Sequence, residues 1–112
     1  MKIPELKGKH VAIIAMGESQ LDFHLSRVHS NEYDEIWGIN CMGEIVHCDR
    51  VFMMDPVSRF LDSDDAGTQT GIMRKMLSKY TGPIYTCELD ERVPNAELFP
   101  LEEVVRYADC AY

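Results

Sequence analysis

The hydrophobic pattern of the chain predicts an alternation of strands and helices. Residues 11–16 form a continuous apolar run inside a predicted first strand at 10–16. Continuous runs, as opposed to alternating ones, are expected where both faces of a strand are covered, as in a parallel sheet. Shorter apolar segments predict further strands at 35–40, 49–55 and 84–87, and a short fifth strand at 97–99.

Three segments carry apolar residues at helical spacing. Ser19 precedes the first segment and is positioned to cap a helix, with Asp22 three residues later as in an approximate capping box. The second helix is predicted to begin at Thr68 or Thr70, and Pro100 opens the third. The apolar stripes consist of Leu21, Leu25 and Val28, then Ile72, Met73, Met76, Leu77 and Tyr80, and finally Leu101, Val104, Val105 and Ala108.

This alternation predicts the fold class. Strands and helices that alternate four or five times form a parallel sheet with right-handed crossovers. We therefore predict an α/β, three-layer α/β/α, Rossmann-like fold with a mostly parallel sheet of four or five strands. Residues 1–112 are one domain by size. Residues 57–69 are polar and are predicted to form a loop, and residues 44–48 fit a helical turn.

The charge balance restricts the class of ligand. The chain carries 19 acidic and 11 basic side chains, a formal net charge of −8. Nucleic acid polymers and anionic membranes are recognised through clustered Lys and Arg, so neither is expected as a partner. A small phosphorylated ligand remains compatible, because backbone N–H groups can hold a phosphate without net positive charge. No apolar run is long enough to span a membrane.

The cysteines and acidic residues predict neither disulfides nor a metal site. The four cysteines include no Cys-x-x-Cys pair, and the N-terminus does not resemble a signal peptide. Reduced thiols and a cytoplasmic location are therefore expected. Cys41, His47 and Cys48 lack a fourth ligand at zinc-like spacing. The segment 62–73 resembles a calcium loop but lacks its fifth-position oxygen and its bidentate glutamate.

Small or polar residues follow the first three predicted strands. They are Gly17 and Ser19 after the first, Asn40 after the second and Asp55 after the third. The carboxyl ends of parallel strands meet at one edge of a sheet, which is where such folds bind ligands. We therefore predict a binding pocket at this edge.

Each candidate has a chemical role and a structural alternative. Gly17 lets a ligand approach the backbone or permits a tight turn, and the helix start at Ser19 holds an anion or is only capped. Asn40 donates and accepts towards a base or sugar, or satisfies loop backbone. Asp55 accepts from ribose hydroxyls, holds a metal ion, acts as a base, or only starts a turn. No Gly-x-Gly-x-x-Gly or Gly-Lys-Ser/Thr motif is present, so ordinary dinucleotide or P-loop chemistry is not supported.

The strand-exit motifs resemble a family of Rossmann-like proteins. Met-Gly-Glu-Ser at 16–19, Gly-Ile-Asn at 38–40 and Met-Asp-Pro at 54–56 are similar to motifs of bacterial sialyltransferases that use a CMP-sugar donor, and of archaeal 6-hydroxymethylpterin pyrophosphokinase-like proteins. The segments 34–40 and 83–86 also resemble uncharacterised proteins of tailed phages and prophages. This resemblance implies that Gly17, Ser19, Asn40 and Asp55 line a nucleotide site. Glu18 departs from the usual Gly-Pro-Ser and would repel a phosphate unless it points away.

Two functions follow as hypotheses. The first is a nucleotide or nucleotide-sugar binding domain of the transferase-like group. Because the related enzymes are longer, it would be a shortened relative or the front part of a longer protein. The second is a non-enzymatic phage or prophage accessory protein that binds a host protein or sequesters a signalling nucleotide. An uncovered sheet edge or helix face makes a homo-oligomer plausible in both cases. The sequence assigns no catalytic residue and no cofactor.

Overall fold

The computed structural model describes Leu6, residues 8–15 and residues 33–108. The first predicted helix, with Gly17 and Ser19 at its start, lies outside the described residues. All of the predicted strands fall at least in part within the described ranges, as do the second and third predicted helices.

Five strands form one all-parallel sheet, which confirms the predicted α/β class and the parallel arrangement. The strands are β1 (Val11–Ile14), β2 (Glu35–Ile39), β3 (Arg50–Phe52), β4 (Ile84–Thr86) and β5 (Ala96–Leu98). Their order across the sheet follows their order in the chain. Because this order does not reverse among the described strands, a ligand site here depends on neighbouring strand ends rather than on a topological switch point.

Four helices complete the described part of the chain. They are α1 (Met42–Ile45), α2 (Ser58–Leu61), α3 (Gln69–Lys79) and α4 (Leu101–Ala108). The short helix α2 lies inside the segment that the sequence predicts as a loop, so that prediction is wrong for these four residues. Phe60, buried in the core, anchors α2 within an otherwise polar stretch. Among the described helices, none is long and apolar enough to cross a membrane.

The core lies on one face of the sheet. Residues at matched positions of neighbouring parallel strands share a face, since side chains alternate along each strand. The buried face and the helices that cover it form a single cluster, made of Ile14, Ile36, Val51, Met53 and Ile84 from the sheet side with Met42, Phe60, Met73, Met76 and Leu77 from the helices. Helix α1 packs on β2, β3 and α3, and α2 packs on α3.

Gly38 allows β2 to approach the core closely. A Cβ atom at this position would lie 2.6 Å from the sulfur of Cys48, which is itself buried. Burial raises the pKa of the Cys48 thiol to about 11, and the nearby Asp49 charge adds to this effect. The pair therefore packs as a small apolar contact, with the thiol held in its protonated form.

The opposite face carries a row of aromatic rings. Phe52 lies at the centre, with its ring centroid 5.1 Å from that of Trp37, 4.8 Å from that of Tyr85 and 6.1 Å from that of Phe99. These separations are in the range of favourable aromatic contacts. Trp37 is half-buried on this face.

An ion pair joins β2 and β3 beside these rings. The Nε of Arg50 lies 2.9 Å from Oε1 of Glu35, and the two side chains are only 13% and 14% exposed. Trp37 donates from its indole nitrogen to Glu35, and Arg50 donates to the hydroxyl of Tyr85. Burial raises the pKa of Glu35, but the hydrogen bonds from Arg50 and Trp37 and the Arg50 charge together hold it below its ordinary value.

Two arginines fix the loops that follow β3 and β4. Arg92 donates to both carboxylate oxygens of Asp62 and to Asp90, at 2.8–3.0 Å. Arg74, from α3, donates to the carbonyl of Phe60 at 2.7 Å and to Asp64 at 3.0 Å. Two carboxylates of the calcium-like segment thus have arginine partners, and the β4–β5 connection is attached to the end of α2.

Candidate functional site at the carboxyl edge of the sheet

The exits of the second and third strands lie side by side. Ile39 of β2 is in register with Phe52 of β3, so the residues that follow them emerge at the same edge of the sheet. The main-chain N–H of Asn40 donates to the carbonyl of Phe52 at 3.0 Å. Asp55 follows three residues after Phe52. The structure thus places Asn40 and Asp55 at one edge, which we call the carboxyl edge.

The first strand leaves the sheet at this edge as well. Ile14, the last residue of β1, is in register with Gly38, two residues before Asn40. Gly17 and Ser19 come shortly afterwards in the sequence, but they lie outside the described residues. The geometry of the candidate site therefore depends on Asn40 and Asp55.

Asn40 has an unusual backbone conformation. Its φ is 53°, and it is the one non-glycine residue with a positive φ in the described ranges. Asparagine tolerates this left-handed region better than most residues do. Its side-chain amide, half-buried at the strand exit, makes no hydrogen bond with any part of the chain that the structure describes. Asn40 therefore presents one acceptor and two donors that the described residues do not use.

Asp55 is held by both its main chain and its side chain. Its carbonyl accepts a hydrogen bond of 2.9 Å from the hydroxyl of Thr86, which is fully buried at the end of β4. Its carboxylate oxygen Oδ2 lies 3.0 Å from Nη1 of Arg59, one helical turn along the chain. The two side chains are 40% and 45% exposed, so the pair lies at the surface. The turn is anchored from β4 while the charged groups remain accessible.

Arg59 is not among the candidates predicted from the sequence. Its spacing of four residues from Asp55 is a signal for a helical ion pair, but the sequence predicts a loop for this segment. The guanidinium carbon lies 5.8 Å from the ring centroid of the buried Phe60, within reach of a cation–π contact. Arg59 is thus held between a carboxylate and an aromatic ring at the start of α2.

Apolar and thiol side chains are also exposed near these strand exits. Met54 precedes Asp55, and Leu89 follows β4; both have large exposed fractions. Cys87, directly after β4, is an exposed thiol. The carboxyl edge therefore combines an amide that the described residues do not bond, an ion pair and exposed apolar side chains.

A separate cleft of about 410 Å³ lies at the opposite, amino edge of the sheet. Neither Asn40 nor Asp55 lines it. Its walls include Glu44 and Lys79, which form an ion pair of 3.5 Å, and Tyr80, whose hydroxyl donates to the carbonyl of Cys48. Burial raises the pKa of Tyr80 well above its ordinary value. Two contacts thus join residues of this lining, Glu44 with Lys79 and Tyr80 with Cys48.

Within the described ranges, no group of three or more His, Cys, Asp or Glu side chains is arranged to hold a metal ion. The described partner of the Asp55 carboxylate is Arg59. Comparisons of the chain with protein-family models, with curated proteins and with solved structures gave no match.

Proposed function

We propose that the carboxyl edge binds a nucleotide or nucleotide-sugar ligand, with Asn40 and Asp55 as contact residues. The observation that carries this proposal is the amide of Asn40, which the described residues leave unused. It stands at the end of a buried strand, on a backbone fixed by the hydrogen bond to Phe52. An amide with one acceptor and two donors matches the edge of a base or a sugar.

Asp55 supports the same assignment. One carboxylate oxygen is engaged by Arg59, and the other is available to accept from ribose hydroxyls. Because the Asp55 carbonyl is bonded to Thr86, the carboxylate starts from a fixed main-chain position. Pre-organisation of this kind lowers the entropy lost when a ligand binds. Gly17 and Ser19 complete the proposed site, as the resemblance to the transferase-like family implies.

The test is a titration of the purified chain with a panel of cytidine, uridine, adenosine and guanosine, their monophosphates and diphosphates, and CMP- and UDP-sugars. We expect saturable binding of at least one nucleoside series, seen by calorimetry and as a rise in melting temperature. Asn40→Gly keeps the backbone conformation and removes the amide, so it should weaken binding about tenfold, the effect of one or two hydrogen bonds.

The matched control is Asp65→Asn, which changes an exposed carboxylate on the loop between α2 and α3. This variant should bind like the wild type, whereas Asp55→Asn should bind less tightly. Absence of saturable binding at millimolar concentrations would reject the proposal, as would identical affinities for the wild type and Asn40→Gly. Transfer and sequestration share this binding step, and product formation from CMP- or UDP-sugars separates them.

A further inference from the structure

We infer that Arg59 is the anion receptor of the carboxyl edge and that the phosphate of the bound ligand lies against it. This inference rests on the proposed function and adds a residue and a chemical group to it. A chain with a net charge of −8 repels an anionic ligand at long range. A local cation with unused donors would offset this repulsion at the site.

The other described cations are engaged or lie elsewhere. Arg92 uses Nε, Nη1 and Nη2 on Asp62 and Asp90, and Arg74 uses Nε and Nη2 on Phe60, Ser63 and Asp64. The cations away from the carboxyl edge are Lys9 before β1, Arg50 beside the aromatic row, Lys75 and Lys79 on α3, and Arg106 on α4. Of the cations that the structure describes, Arg59 is the one that pairs with the strand-exit residue Asp55 and keeps donors that the described residues do not use.

The geometry of Arg59 suits a phosphate. Nη1 lies 3.0 Å from Oδ2 of Asp55, and no hydrogen bond joins Nε or Nη2 to a described residue. A guanidinium binds phosphate through two parallel N–H groups, and Nε with Nη2 form such a pair. The Asp55 carboxylate and the Phe60 ring restrict the side chain beforehand. The base or sugar then faces Asn40, and the phosphate faces Arg59.

The experiment compares cytidine, CMP, CDP, the corresponding adenosine series and inorganic pyrophosphate, each titrated into the wild type and Arg59→Gln. In the wild type, we expect the diphosphate to bind at least about tenfold more tightly than the nucleoside. This is the gain in affinity expected from one charge-assisted hydrogen bond. Arg59→Gln should lose this increment and leave the affinity for the nucleoside unchanged. Added salt should lower the affinity for the diphosphate and leave the affinity for the nucleoside unchanged.

Arg106→Gln is the matched control, since it removes an exposed cation from α4. It should keep the phosphate increment, and the melting temperatures of both variants report whether they are folded. The inference is overturned if the wild type binds nucleoside and diphosphate equally, or if Arg59→Gln retains the increment.

The two proposals fail in different ways. Pyrophosphate binding that depends on Arg59, without any nucleoside binding, supports the anion receptor and rejects the nucleotide function. Nucleoside binding that depends on Asn40, with no gain in affinity from the phosphates, supports the nucleotide function and rejects Arg59 as the anion receptor. If neither pyrophosphate nor any nucleotide binds at millimolar concentrations, both are rejected.

Discussion

Asn40 is bound through its main-chain N–H to the carbonyl of Phe52, 3.0 Å away, at the point where β2 and β3 end together. This bond continues the pairing of the two strands by one residue. To make it and then turn into α1, Asn40 adopts a φ of 53°. The same residue thus ends the strand and brings to the carboxyl edge an amide that the described residues do not bond.

The stability of Asn40 variants should follow this backbone conformation. Alanine in the left-handed region is strained, so Asn40→Ala should lower the free energy of unfolding by about 1 kcal/mol. Asn40→Gly should stay within about 0.5 kcal/mol of the wild type, because glycine adopts a positive φ without strain. Urea denaturation followed by circular dichroism measures both. Equal stability of the two variants would show that the turn does not constrain this residue.

The ion pairs of Arg92 with Asp62 and Asp90 should make the stability of the fold depend on pH. Hydrogen bonds from Arg92 lower the pKa of Asp90 to about 2, and Arg92 also lowers the pKa of Asp62. A carboxyl whose folded pKa lies below its unfolded value, about 4, stabilises the fold above that value. The contribution is lost as the pH falls from about 4 towards 2. The melting temperature of the wild type should therefore fall over this range.

Arg92→Met should flatten that dependence. Without the guanidinium, Asp62 and Asp90 titrate closer to their unfolded values, so less stability is lost on acidification. Arg106→Met, which changes an exposed arginine on α4, should keep the slope of the wild type. If the melting temperatures of the wild type and Arg92→Met fall in parallel as the pH is lowered, the ion pairs of Arg92 are not the cause of the pH dependence.

The sequence predicts the sheet well because its signal is local. Apolar runs around Ile13, Ile36, Val51 and Ile84 mark the strands, and the structure has a strand at each. These four strands are shorter than their predicted segments. The segment 49–55, for example, contributes only Arg50–Phe52 to β3.

The features that the sequence does not predict depend on contacts between distant residues. Arg92 lies 30 residues from Asp62, and no local pattern relates the two. Helix α2 escapes prediction because it is a single turn of four residues, although Val57, Phe60 and Leu61 pack in the core at helical spacing. The contact of Arg59 with Asp55 is not predicted either, since Asp55 lies before α2 and the pair forms across the turn between β3 and α2. Strand exits are visible in sequence, but the groups that neighbour them are not.

The Glu35–Arg50 pair should be costly to break from one side. The two side chains are mostly buried, so Arg50→Met leaves an uncompensated carboxylate and should destabilise the fold by about 3 kcal/mol. Adding Glu35→Gln removes that charge while keeping an acceptor for Trp37, and should recover at least about 1 kcal/mol. Urea denaturation of the single and double variants measures the difference. A double variant no more stable than Arg50→Met would show that lost packing, and not the buried charge, dominates.

Thr70 offers a route to a more stable fold. It lies in the first turn of α3, only 4% exposed, and its hydroxyl has no hydrogen-bond partner among the described residues. Thr68, the N-cap residue of α3, makes no side-chain capping hydrogen bond. The hydroxyl of Thr70 does not make one in its place. A buried hydroxyl without a partner carries an uncompensated desolvation cost. Thr70→Val keeps the shape and removes this cost, and should raise the free energy of unfolding by about 1 kcal/mol.

Thr70→Ser is the control, because it retains the hydroxyl and deletes the buried methyl group. It should lower stability by about 1 kcal/mol, through the lost apolar contact and the space left behind. Both variants are measured by urea denaturation in the same buffer as the wild type. If Thr70→Val is instead the less stable of the two, the hydroxyl bonds to an ordered water or a bound ligand in solution. The first turn of α3 would then belong to a polar site.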